Sequence, residues 1–94
     1  MLKQLDPLLL SELRLAVVSI LVSAESADFT YLREQTGATA GNLSVQLDKL
    51  QKAGYVAVEK TFKGKMPRTV VKLTTAGADA FARYVDALKS YIDK

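Results

Sequence analysis

Cysteine and histidine are both absent from the 94 residues of this chain. Without cysteine there is neither a disulfide framework nor a thiolate nucleophile. Without either residue, zinc sites built on them and the Ser-His-Asp and Cys-His catalytic triads are excluded. A pair of carboxylates could still act in acid–base chemistry. The composition therefore favours binding over catalysis, and we predict a protein that is not an enzyme and has no cofactor or metal.

Long apolar runs are also lacking. The longest strongly apolar stretch, residues 15–24, is interrupted by two serines and is about half as long as a membrane span. A signal peptide is not predicted, because the basic residues near the start are offset by acidic ones. With 10.3 kDa and 49% hydrophobic residues, the chain is typical of one small globular domain, residues 1–94. We predict a cytoplasmic location and no membrane partner.

The charge is unevenly distributed although the formal net charge is only +3. Residues 49–72 contain seven basic residues and one acidic residue, whereas the rest of the chain contains six basic and nine acidic residues. Such a polarised chain is typical of a protein that presents one face to a polyanion. The alternative is that lysines on a short hairpin serve solubility and edge protection. Charge alone favours neither interpretation.

Local signals predict four helices and a hairpin. Asp6-Pro7 resembles a helix start, and the first helix is predicted to run to about Val22. The remaining elements are a strand stub at 29–30, a helix over 31–36, a helix capped by Thr39 and ending at 53–54, strands over 55–62 and 68–73 joined by a turn at 63–67, and a last helix opened by Thr74 or Thr75. These correspond to an N-terminal arm (1–10), a helix-turn-helix (31–53), a wing hairpin (55–73) and a C-terminal helix (75–94).

The order of these elements, α-(β stub)-α-α-β-β-α, indicates a particular architecture. Two short helices joined by a glycine-containing turn form a helix-turn-helix, whose second helix enters the DNA major groove. A basic two-stranded hairpin directly after that helix is the wing of the winged form. The predicted fold class is therefore mainly α with a β-hairpin wing (α+β), a winged helix-turn-helix.

Several segments carry a family resemblance. They are Gly41-Asn42-Leu43-Ser44, Leu47-x-x-Leu50-x-x-Ala53-Gly54-Tyr55-Val56, Gly64-Lys65-x-Pro67-Arg68-Thr69 and Leu73-Thr74-x-x-Gly77. From about residue 13 to 88 the chain resembles the small winged-helix transcriptional regulators of the MarR/ArsR-like type found in bacteria and archaea. The resemblance implies a dimer in which each protomer offers one recognition helix and one wing.

The third helix is predicted to read DNA with the face opposite its leucine stripe. Asn42 and Gln46 can each bond adenine, Ser44 can bond a base or phosphate, and Val45 can pack on a thymine methyl group. Thr39, as the N-cap, is assigned to a phosphate contact. The full predicted set is Thr39, Gly41, Asn42, Ser44, Val45, Gln46 and Lys49. The alternative for the polar members is a solvated helix surface.

The wing is predicted to contact DNA with Lys60, Lys63, Lys65 and Arg68. These side chains surround a projecting turn, from which they can reach the phosphate backbone. Arg68 can also enter a narrow minor groove. Solubility is again the alternative.

The last helix carries an apolar stripe wider than a small domain needs, and the N-terminal arm is rich in leucine. Large exposed apolar surfaces usually mark interfaces. We predict a twofold dimer interface formed by Leu2, Leu5, Leu9, Phe81, Tyr84, Val85, Leu88, Tyr91 and Ile92. The alternative is that both segments wrap their own core.

Together these features predict sequence-specific binding of double-stranded DNA by a homodimeric transcriptional regulator, a repressor acting at a palindromic operator. The recognition helix would occupy the major groove, and the basic wing would lie on the backbone or in the minor groove. The alternative function is a winged-helix module for protein–protein interaction without specific DNA binding. The sequence indicates no particular effector.

Overall fold

The computed structural model describes residues 1–93, which form four α-helices and a three-stranded antiparallel sheet. A 3₁₀ helix, Pro7–Leu9, precedes them. The elements are α1 (Glu12–Ala24), β1 (Ser26–Asp28), α2 (Phe29–Thr36), α3 (Ala40–Lys52), β2 (Val56–Lys63), β3 (Met66–Leu73) and α4 (Thr75–Ile92). The predicted winged helix-turn-helix is confirmed, with the sheet order β1-β3-β2. The predicted last helix extended to Lys94, which lies outside the described residues.

The first helix begins later than predicted. Asp6 accepts a hydrogen bond from the Leu8 N–H at 3.0 Å and caps only the short 3₁₀ helix. The N-cap of α1 is Ser11, whose Oγ accepts from the Arg14 N–H at 3.2 Å. Because Ser11 supplies a second cap, the Asp6-Pro7 signal starts one turn of 3₁₀ helix and not the long helix. The helix also continues to Ala24, two residues beyond the predicted end.

The strand stub lies earlier than predicted. β1 covers Ser26–Asp28 and pairs antiparallel with β3, so that Asp28 lies opposite Val70. Phe29 and Thr30, the predicted stub, are the first two residues of α2. The position of β1 depends on the free edge of β3, which is more than 40 residues away in the sequence. A local pattern therefore does not reveal it.

The wing hairpin is longer and its turn tighter than predicted. β2 and β3 pair from Val56↔Leu73 to Lys63↔Met66, which leaves only Gly64 and Lys65 in the turn. Pro67, predicted to lie in the loop, pairs with Phe62 inside the hairpin. Proline is tolerated there because β1 pairs with β3 only at residues 70–72, so β3 has one strand neighbour at Pro67.

The core lies between α1, α3, the sheet and α4. Its fully buried side chains include Leu9, Val17, Val18, Leu21, Leu32, Leu43, Leu50 and Val71. α4 faces this core with small residues and one tyrosine, namely Gly77, Ala80, Tyr84 and Ala87. Gly77 allows a close approach, since a Cβ atom there would lie 2.1 Å from the carbonyl oxygen of Tyr55.

The N-terminal arm packs along α4 of its own chain. The Lys3 N–H donates to Ser90 Oγ at 3.1 Å, and the Tyr91 hydroxyl donates to the Lys3 carbonyl at 3.0 Å. Lys3 Nζ forms an exposed ion pair with Asp86 at 2.5 Å. These contacts hold the N-terminal arm against α4 of the same chain. Within residues 1–93, no helix is both long and apolar enough to cross a membrane.

Candidate nucleic-acid interface

α3 presents one buried face and one fully solvated face. Leu43, Leu47 and Leu50 are buried, as their spacing predicts. At 100° per residue, Gly41, Val45 and Lys49 lie on the opposite face and all three are exposed. The Val45 side chain is 52% exposed, which leaves an apolar contact point at the centre of this face.

The N-terminus of α3 is capped as predicted. Thr39 Oγ1 accepts a hydrogen bond from the Asn42 backbone N–H at 3.1 Å. The Thr39 hydroxyl is therefore engaged in the cap, and the amide groups of the first helical turn remain at the positive end of the helix dipole. This end of the helix is the part that can meet an anionic phosphate.

The Gln46 side chain is tied to α1 by a hydrogen bond, whereas the predicted base contact requires it to project freely. Its Oε1 accepts a hydrogen bond from Arg14 Nη1 at 2.5 Å, and its Nε2 donates to Asn42 Oδ1 at 3.1 Å. Gln46 is half-buried, whereas Asn42 is exposed. The structure thus brings the two predicted adenine-reading residues together and ties one of them to α1.

Ser44 lies on the side of α3 that faces the wing. It lines an open groove of about 490 Å³ together with Phe29, Leu47, Asp48, Gln51, Val58, Lys60 and Thr69. Asp48 in this groove forms an i,i+4 ion pair with Lys52 at 2.9 Å. The hydrogen bond to Asp48 and then its charge raise the pKa of Lys52 above its ordinary value. The acidic residue on this helix is therefore partly neutralised within the helix itself.

The wing projects from the body, and the described chain measures 53 × 24 × 21 Å. Lys60, Lys63 and Lys65 are exposed along it. Arg68 differs from these lysines because its guanidinium group contacts Asp28 Oδ1 through both Nε and Nη2 at 2.7 Å. Three of the four predicted DNA-contacting residues of the wing therefore carry a solvated charge, and the fourth, Arg68, is paired with Asp28 at the end of β1.

Two exposed apolar side chains near the wing turn were not singled out from the sequence. Phe62 is 69% exposed and Met66 is 70% exposed. Strand alternation places Phe62 on the same face as Val56 and Val58, but it lies beyond the reach of the core. The position of Phe62 near the end of its strand, far from the buried Val56, was the sequence signal that could have predicted its exposure.

The predicted dimer residues divide into three groups by burial. Leu9 is fully buried and Tyr84 is 8% exposed, so both belong to the core of their own chain and their assignment to a dimer interface is corrected. Leu5 packs against the same core. Leu2, Leu88, Tyr91 and Ile92 remain exposed, by 38–69%. Phe81 and Val85 are half-buried.

Comparison with known proteins identifies the family. The family model for the winged helix DNA-binding domain matches residues 13–92, and the chain belongs to this family. This membership confirms the predicted winged-helix DNA-binding protein, which is not an enzyme.

Among individual proteins, the uncharacterized protein MJ0432 of Methanocaldococcus jannaschii is 36% identical over 76 residues, which cover 80% of this chain and 82% of that protein. The transcriptional regulator homologue from Pyrococcus horikoshii OT3 is 30% identical with a TM-score of 0.86, covering 92% of this chain and 85% of that one. A MarR mutant from E. coli, solved with operator DNA, is 21% identical with a TM-score of 0.74. This structural match covers 88% of this chain and 59% of that one, and the two proteins share the fold.

Proposed function

We propose that this protein is a sequence-specific transcriptional regulator that binds double-stranded DNA as a homodimer and represses by occupying a palindromic operator in the cytoplasm. The observation that carries the proposal is the exposed outer face of α3, with Val45 at its centre, next to a projecting wing with three solvated lysines. A major-groove helix beside a basic hairpin supplies both base contacts and phosphate contacts.

Base reading is assigned to the first two turns of α3. Asn42 donates to a base edge, Val45 packs on a thymine methyl group, and Gly41 lets the duplex approach the helix backbone closely. A Cβ atom at Gly41 would meet nothing within 4 Å in the free protein, so the free space above this residue is available to DNA. Ser44 and Lys49 flank these residues, and the N-terminal amides near Thr39 bind a phosphate.

Phosphate binding is assigned mainly to Lys60, Lys63 and Lys65 on the wing. Their charges are unpaired in the described residues and can replace counterions on the DNA backbone. Arg68 joins them by exchanging Asp28 for a phosphate. That exchange is inexpensive because the Arg68–Asp28 pair is about 40% exposed on both sides, and exposed ion pairs contribute at most about 1 kcal/mol.

The dimer is assigned to the apolar stripe of α4, which we define as Phe81, Val85, Leu88 and Ile92. These residues follow the i, i+4, i+7, i+11 spacing of one helix face, which adjoins the face of small residues that meets the core. Phe81, at the edge of the stripe, also packs against that core. A second copy related by a twofold axis covers this stripe and places two recognition helices on successive half-sites. The exposed Leu2 lies on the N-terminal arm, which contacts α4 at Asp86 and Ser90, outside this stripe.

DNA binding is tested by selecting bound fragments from random DNA at physiological salt and measuring affinity between 50 and 200 mM salt. A dimer that contacts six to ten phosphates should lose about 10³–10⁵-fold in affinity over that range. Replacing Lys63 and Lys65 with alanine removes four contacts per dimer and should lower the salt slope by about 3–4 for every sequence. Lys89→Ala removes one exposed lysine from α4, away from the wing, and should leave the slope unchanged. A wild type without DNA affinity at 50 mM salt would favour the protein–protein module instead.

The dimer is tested by sedimentation at micromolar concentration. Val85→Lys places a charge in the α4 stripe and should convert dimers to monomers, while weakening operator binding more than half-site binding. Asp79→Lys changes an exposed residue on the other side of α4 and should leave the dimer intact. A wild type that sediments as a monomer at these concentrations would refute the assignment.

A further inference from the structure

A line of polar contacts connects the start of the chain to the recognition helix. Arg14 Nε donates to the Leu8 carbonyl at 2.6 Å, and Arg14 Nη1 donates to Gln46 Oε1 at 2.5 Å. Gln46 Nε2 then donates to Asn42 Oδ1 at 3.1 Å. Arg14 and Gln46 are half-buried, whereas the Asn42 side chain, at the end of this line, is exposed.

The direction of these hydrogen bonds is determined by chemistry. Arginine has only donors, so the atom of Gln46 that faces Arg14 must be its carbonyl oxygen. The Gln46 amide nitrogen therefore faces Asn42, and it can only donate. The atom of Asn42 that receives this bond must then be Oδ1, which leaves the Nδ2 group of this exposed side chain without a partner in the described residues.

We propose that Arg14 is a specificity-determining positioning residue, which acts through Gln46 to hold the Asn42 amide with its donor group toward the DNA. This inference rests on the proposed function. A free asparagine can rotate its amide and present either a donor or an acceptor, but a held one presents the donor. In the major groove, guanine, adenine and thymine each offer an acceptor at their edge, whereas cytosine offers only the N4 donor. The contacted base is therefore a base other than cytosine, and a purine N7 fits best.

Arg14 is itself anchored, and for this reason it can hold the Asn42 amide in one orientation. Its backbone N–H is bound by the Ser11 cap at 3.2 Å, and its Nε is bound by the Leu8 carbonyl. Leu8 in turn belongs to the 3₁₀ helix that is capped by Asp6, and the neighbouring Leu9 is fully buried. The guanidinium group thus has one fixed position beside α3, and it loses little side-chain entropy when it bonds Gln46.

The first experiment identifies the contacted base and then removes the anchor. The operator position whose preference is lost in Asn42→Ala is the contacted one, and all four bases are then placed there and their affinities measured at fixed salt. Wild type should disfavour cytosine by about 5- to 100-fold relative to the best base. In Arg14→Met, with the amides free to rotate, that ratio should fall to within about threefold.

The second experiment reverses the orientation. Gln46→Glu keeps a partner for Arg14 but offers Asn42 only an acceptor, so the Asn42 amide must turn its nitrogen inward and its oxygen outward. The preference should then move toward bases with a donor, cytosine N4 or adenine N6. Lys49→Gln makes the same change of net charge on the outer face of α3. It should weaken all four complexes alike without changing their order.

The outcomes separate this inference from the proposed function. A wild type without any base preference would overturn both. A wild type with a clear preference that both Arg14→Met and Gln46→Glu leave unchanged would overturn the positioning role alone. The same order of bases in Gln46→Glu and Lys49→Gln would likewise refute it, because charge would then explain the whole effect.

Discussion

Gly77 is the position where a single methyl group should damage the fold most. An alanine Cβ there would lie 2.1 Å from the Tyr55 carbonyl oxygen and 2.8 Å from Leu73 Cδ1. The nearer atom belongs to the backbone, and the same oxygen accepts a hydrogen bond from the Thr74 N–H at 3.1 Å. Relief of the clash therefore requires α4 to move away from the start of the wing, which stretches this bond and opens the core at Ala80.

The cost can be estimated from two opposing effects. Overpacking a closed site costs about 1–3 kcal/mol, and more when backbone must move. Replacing glycine by alanine inside a helix stabilises the helix by up to about 1 kcal/mol. The gain is smaller in the first turn of α4, where Gly77 lies. A net loss of about 1–3 kcal/mol corresponds to a fall in Tm of roughly 4–20 °C for a chain of this size.

Gly41→Ala provides the matched control, since this glycine also lies in the first turn of a helix but has no atom within 4 Å of the added Cβ. It should hold or raise Tm by a few degrees while weakening DNA binding through lost close approach. Thermal unfolding followed by circular dichroism at one protein concentration compares both variants with wild type. A Gly77→Ala protein as stable as Gly41→Ala would refute the packing argument.

Two further predictions concern the N-terminal segment. The Tyr55 hydroxyl donates to Asp6 at 2.5 Å, and this bond raises the pKa of Tyr55 above its ordinary value of 10.0. Its stabilisation is therefore fully present below pH 10 and is lost as pH rises through the raised pKa. Urea unfolding should show a shallower alkaline loss of stability in Tyr55→Phe than in wild type, and equal slopes would contradict this. Leu9→Ala should lower the free energy of unfolding by about 2–5 kcal/mol because Leu9 is fully buried. Leu10→Ala, at a side chain 58% exposed, should change it by about 0.5 kcal/mol or less, and similar losses in both would place Leu9 outside the core.

The parts of the fold that were predicted correctly depend on short-range interactions. The start of α3 follows from the Thr39 cap, and its end from Gly54, whose φ is +82°. Its buried face follows from the spacing of three leucines. The order of helices and strands is also local, because each change of hydrophobic period occurs within a few residues. This order was sufficient to predict the winged helix, which family membership confirms.

The predictions from sequence were wrong where one local pattern is compatible with two structures. Asp6-Pro7 is a correct cap signal, but it starts a single 3₁₀ turn because Ser11 caps the next helix. The leucines of the arm were correctly seen as an apolar segment. Hydrophobicity alone does not say whether such a segment covers its own chain or a partner, and Leu9 is part of its own core.

What the sequence by itself determined is the set of elements, the buried face of α3 and the concentration of basic charge in the wing. The tertiary structure decided which polar groups meet: Arg68 with Asp28, 40 residues apart, and Arg14 with Gln46, 32 residues apart. Periodicity assigns each residue to a face of its own element, but a hydrogen bond between elements depends on how two faces are aligned to within an ångström. The packing of α1 against α3 sets that alignment, and with it the orientation of Asn42.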